Sequence, residues 1–153
     1  MRKRTILFII LFTTFYNTYS QNVYKEKLKN CDTKVFALES EKETAKIDNK
    51  ELIKFISKIT TVDIRKKIRG TLKIQIIVYK NGTSCLLSYE NETNIKSSEL
   101  KIKQFKNLVD AKLTWTNGIK NVAALIEIQF KKKNTKINRF GMDGKSGWHK
   151  LKK

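Results

Sequence analysis

The sequence predicts an α+β domain: a small antiparallel sheet of about three strands with two helices packed on one face. Three observations carry this expectation. Leu72, Ile74, Ile76 and Val78 alternate with Lys73, Gln75, Ile77 and Tyr79, and an Asn81-Gly82 turn follows before an apolar stretch resumes. Val122, Ala124, Ile126, Ile128 and Phe130 alternate with Ala123, Leu125, Glu127 and Gln129. Residues 48–60 and 99–112 instead place apolar side chains three and four apart. Period two marks a strand and period 3.6 a helix. The order helix, strand, strand, helix, strand closes into one sheet with its helices on one side.

The first residues precede that domain. Arg2, Lys3 and Arg4 form a basic stretch, residues 6–12 with Phe15 and Tyr16 form a short apolar one, and Ser20 is a small residue at its end. This is the pattern of a secretory signal peptide over residues 1–20, giving a periplasmic or secreted chain mature from about Gln21. The apolar run is shorter than the roughly 20 residues of a membrane span. An uncleaved inner-membrane anchor is the alternative. The remaining chain of about 130 residues suits one domain with one core.

Residues 21–42 are a polar lead-in with a short strand expected at 34–38. The domain proper spans 43–130. Asp48 and Glu51 make a capping-box-like start for the first helix, whose face is Leu52, Phe55, Ile56 and Ile59. Residues 61–69 are a short helix or a loop. The hairpin follows from Gly70 to about Glu90, with Asn81-Gly82 suited to a two-residue type I′ turn. The second helix, about 99–112, presents Ile102, Phe105, Leu108 and Val109. Trp115 comes next as a core plug, then an Asn117-Gly118 turn and the strand Val122 to Phe130. Residues 131–153 are a basic, glycine-containing tail carrying Phe140 and Trp148, expected to be mobile or weakly packed.

Charge narrows the partners. The chain has 33 Lys and Arg against 14 Asp and Glu, a formal charge of +19. Losing Arg2, Lys3 and Arg4 with the signal, and no acidic residue, leaves +16. Such a chain attracts anionic surfaces, although the basic residues are spread out as solvating lysines are. Cys31 and Cys85 can close a disulfide in an oxidising compartment, and Cys85 fits equally well as a small buried hydrophobe. Sequence fixes no distance between them.

Catalytic chemistry finds no footing. His149 is the single histidine and lies four residues from the C-terminus, where nothing holds a general base rigidly. A Cys85–His149 nucleophile pair lacks a third orienting group. Two cysteines and one histidine, widely separated, have no metal-ligand spacing. No cofactor is expected, and the chain is not expected to be an enzyme.

Taken together, "ELIKFISKIT", "GTLKIQIIVYKNGTSCLLSYE" and "LTWTNGIKNVAALIEIQF" resemble the C-terminal domain of TonB-type energy transducers over about residues 43–130. The matching positions are Gly70, Asn81-Gly82, Trp115, Gly118 and Phe130. The chain departs from the family in having no Pro after the Trp, no Pro-rich linker and no Pro at all. The resemblance implies a protein-binding module contacting an outer-membrane receptor or transporter. Its last strand, Val122, Ala123, Ala124, Leu125, Ile126, Glu127, Ile128, Gln129 and Phe130, would take up an extended peptide at an open edge. The alternative is a cationic binder of lipopolysaccharide, lipid or nucleic acid, with nucleic acid the weakest of the partners.

Overall fold

The computed structural model describes residues 22–116, 120–132, 134–145 and 147–152. The expected signal segment, the Asn117-Gly118 turn and Lys133 lie outside the described residues. In chain order the elements are β1 (Glu26–Lys27), β2 (Ala37–Leu38), α1 (Asn49–Ile56), a 3-10 turn (Ser57–Ile59), α2 (Val62–Lys67), β3 (Gly70–Val78), β4 (Ser84–Thr93), α3 (Ile102–Lys112), β5 (Val122–Phe130), β6 (Thr135–Asp143) and β7 (Gly147–Lys150). The strands form one seven-stranded sheet in the order β1-β4-β3-β5-β6-β7, with β2 alongside the start of β5. All pairings are antiparallel except β2 with β5.

This corrects the expectation of about three strands and two helices: among the described residues the sheet has seven strands and there are three helices. The physical reason lies in the tail. Residues expected to be loosely packed form β6 and β7, and β6 pairs with β5 from Thr135 to Phe140. On β6 the core-facing positions are Ile137 and Arg139, followed by Gly141. Only one of the three is aliphatic, so the alternation that betrays a strand is muted. The lead-in likewise supplies two short strands, which border β4 and β5.

The core lies between the sheet and its helices. Leu72, Ile74, Ile76 and Val78 of β3, and Val122, Ala124, Ile126, Ile128 and Phe130 of β5, join one cluster with Leu52, Phe55, Ile56, Ile102, Phe105 and Val109 of the helices. The α1 start is as expected: Asp48 accepts hydrogen bonds from Lys50 N and Glu51 N, satisfying donors with no partner within the helix. The opposite face of the sheet is also covered. Ala123 and Leu125, on that side of β5, are fully buried. There Gln75 and Ser88 bond each other and receive Val23 N and Tyr24 N, so the lead-in lies across this face.

The hairpin turn differs from the two-residue type expected. Tyr79 N donates to Thr83 O and Gly82 N to Tyr79 O, and Gly82 has φ +83° while Asn81 is not left-handed. That is a three-residue loop with glycine at its left-handed position. Gly82 is also confined from outside: a Cβ there would sit 2.5 Å from Trp115 O, and Trp115 N donates to Gly82 O at 2.9 Å. Trp115 is 4% exposed. It thus plugs the core as expected and braces the turn through its main chain.

Candidate functional site

The strand expected to be an open edge is interior. β3 runs beside β5 along the whole of Val122 to Phe130. On its other side β6 pairs with Leu125 to Phe130, and β2 with Val122 and Ala123. Ala124 lies between those two pairings. A peptide has no unpaired ladder to join there, so the strand-addition site at Val122–Phe130 is corrected: β5 is a central strand, because β6 occupies the position an incoming strand would take.

Cys31 and Cys85 form a disulfide across a separation of 54 residues. The sulfur of Cys85 is therefore not a free nucleophile. His149 lies on β7, with β3, β5 and β6 between it and Cys85 on β4. The Cys85–His149 pair does not form. Lys106 of α3 covers the disulfide, its Nζ 3.2 Å from Cys85 Sγ, and donates to Asp110 Oδ2 at 2.7 Å and Leu86 O at 2.9 Å. Asp110 Oδ1 accepts from Leu86 N at 2.8 Å. Side chains thus occupy backbone groups that β4 would otherwise expose at its outer edge, a common protection against edge pairing.

A different site is assembled where α1, β6 and the chain end meet. Glu39, just after β2, is inserted between the ends of β5 and β6: its N–H donates to Ala123 O, and its carbonyl accepts from Met142 N at 2.7 Å. Gly141 permits this approach, since a Cβ there would lie 2.4 Å from Glu39 O. The Glu39 side chain, with no exposed surface, accepts from Ala45 N at 2.8 Å and pairs with the Arg139 guanidinium. Burial pushes the Glu39 carboxyl above its usual range, with the Arg139 charge and the Ala45 N–H pulling the other way. Arg139 lies over the Trp115 ring, 5.4 Å from its centroid.

Two chain segments rise around this cluster. Lys46 and Thr116 exchange both backbone hydrogen bonds, at 2.7 and 2.9 Å, which pins the strand of chain entering α1. Leu151 N donates to Arg139 O, and Lys152 N to Glu41 Oε1, which pins the C-terminal end. Between these walls and β6 is a cavity of about 320 Å³, with Ile47, Ile137 and Leu151 in its lining. A second of about 230 Å³ shares Asn49 and Ile137 with it and continues past Ile53. Lys46, Arg139, Lys150 and Lys152 line the first, and Lys131 and Lys136 the second. Among the described residues no acidic side chain lines either one. The result is a groove with an apolar floor and a cationic rim.

The sequence pointed to neither Glu39 nor Arg139. A polar lead-in and a basic tail hide the fact that they meet, 100 positions apart. On the opposite face Tyr24 is buried near Glu127, Glu90 and Glu92, and burial first, then those charges, push its hydroxyl from 10.0 up to about 12. The folded chain therefore keeps the Tyr24 proton where the unfolded chain has released it, so this contribution to stability is complete below pH 10 and is lost as pH rises to about 12. Alkaline unfolding followed by circular dichroism should show that loss, and Tyr24→Phe should flatten it. An identical slope in the variant would assign the alkaline transition to other groups.

Among the described residues no helix is long and apolar enough to cross a membrane, and no group of three or more His, Cys, Asp or Glu is arranged to hold a metal. No family model, curated protein or solved structure matches the chain.

Proposed function

We propose that the chain is an exported, cationic binding module that engages anionic partners of the cell envelope through the groove between α1, β6 and the C-terminal end. It acts by binding rather than by catalysis. The observation that carries this reading is the groove's one-signed lining: Lys46, Lys131, Lys136, Arg139, Lys150 and Lys152, with no carboxylate among its described residues. Like charges brought around one concavity repel each other, and low-dielectric walls strengthen their field toward an incoming anion. A solvated face built only for solubility intersperses both signs, as the Lys73–Glu90–Glu92 cluster elsewhere on the sheet does. The receptor-binding role implied by the TonB resemblance depended on an open Val122–Phe130 edge, and the occupied sides of β5 remove its basis.

Co-sedimentation with vesicles tests the reading. Vesicles containing about one-third anionic phospholipid should retain the protein at low salt and release it progressively above physiological ionic strength, where charges are screened beyond about 8 Å. Neutral vesicles should retain little. Equal retention on neutral and anionic vesicles would contradict the proposal.

A further inference from the structure

The cations of the groove are not equivalent. Lys46, Lys131, Lys136, Lys150 and Lys152 are exposed, and their flexible ammonium groups act as point charges. Arg139 is different. Its guanidinium is held on one side by the buried carboxylate of Glu39 and on another by the Trp115 ring, while the residue lines the larger cavity. Its Nε–H is buried without an acceptor, and so is the indole Nε1–H of Trp115 beneath it. Buried donors without partners are uncommon in folded proteins, and here two occur on side chains in contact. Arg139 keeps 18% of its side chain exposed and lines the cavity, so it can meet an acceptor brought from outside.

The floor narrows what carries that acceptor. From Arg139 it runs along Ile47, Leu151 and Ile137 and on past Ile53, which is 41% exposed. An oxyanion docked on a fixed guanidinium is the arrangement at which planar, bidentate recognition works best, and an apolar floor leading away from it suits a hydrocarbon chain. Cavities of about 320 and 230 Å³ together fall within the size of small-molecule sites, about 300–1,000 Å³. A nucleic acid would lay polar backbone over the isoleucines and bury nothing apolar in return.

Resting on the anion-binding reading above, we infer that the groove takes a single anionic amphiphile, with its carboxylate or phosphate head on Arg139 and its hydrocarbon chain over Ile137 toward Ile53. Glu39 and Trp115 are positioning residues for Arg139.

Isothermal titration of the purified protein with decanoate, decyl phosphate and inorganic phosphate, each below its micelle concentration, tests this. At least one decyl compound should bind with 1:1 stoichiometry, and the tighter of the two identifies the head group. Inorganic phosphate should bind at least about 100-fold more weakly, because it lacks the chain. Arg139→Lys, which keeps the charge and loses the fork, should weaken binding about tenfold or more, against about two- to threefold for Lys150→Gln. Should Arg139→Lys fail to fold, Ile53→Asp at the half-exposed floor should leave the melting temperature unchanged and still weaken binding about tenfold. Absence of saturable binding by either decyl compound, equal binding of inorganic phosphate, or unaltered affinity in Ile53→Asp would overturn the inference. Anionic vesicles bound without monomeric amphiphiles would overturn it while leaving the surface-binding reading in place; loss of both would remove both.

Discussion

Replacing Trp115 with alanine should destabilise the fold by about 3–5 kcal/mol, the range for removing a fully buried large aromatic side chain. In a domain of this size that corresponds to a melting temperature lower by roughly 10–15 °C. The indole is 4% exposed and belongs to the main core cluster. Its loss opens a cavity beneath the β3–β4 turn and removes the surface on which Arg139 lies. The main-chain bond from Trp115 N to Gly82 O survives the substitution, so the turn should persist while the core loosens. Thermal unfolding followed by near-ultraviolet circular dichroism checks this. A melting temperature unchanged within error would contradict the core role.

Reduction of the Cys31–Cys85 disulfide should cost a similar amount. Cross-linking residues 54 apart restricts the unfolded chain by about 4 kcal/mol in the loop-entropy description. The bond also ties the lead-in to β4 close to β1, a strand of only two residues. Urea unfolding with and without reductant should show a lower midpoint on reduction with an equal or steeper slope, because the released unfolded chain exposes more surface, and the Cys31→Ser/Cys85→Ser variant should match the reduced parent. A midpoint insensitive to reduction would show that the lead-in is held by other means.

The elements with plain periodicity were legible in the sequence. Strand β5 has the bounds its alternation gives, α1 begins where Asp48 caps it, and Trp115 is buried as its place after a helix indicates. What hydropathy could not reveal is structure made by polar partners. Strand β6 buries Asn138, whose amide donates to Glu127 across the strands, and places Arg139 toward the core against Glu39. Each would count as a solvent-facing residue until its partner is known. Gly141 looked like part of a loose glycine-bearing tail, whereas its missing side chain admits the Glu39 carbonyl. Once β6 is recognised as a strand, β5 ceases to be an edge, and the binding surface moves from a backbone ladder to a groove of side chains.

The groove, rather than the overall positive charge, is the central claim, and two variants of equal net charge test it most directly. Lys150→Gln/Lys152→Gln removes two cations from the groove wall; Lys66→Gln/Lys67→Gln removes two exposed cations from the end of α2, outside the groove. Affinity for anionic vesicles should be measured for both at the same ionic strength. The groove pair should lose about tenfold or more, at roughly 1 kcal/mol per lysine near an anionic surface, while the α2 pair should stay within about twofold of the parent. Equal losses in the two variants would contradict the claim and make binding a property of net charge alone.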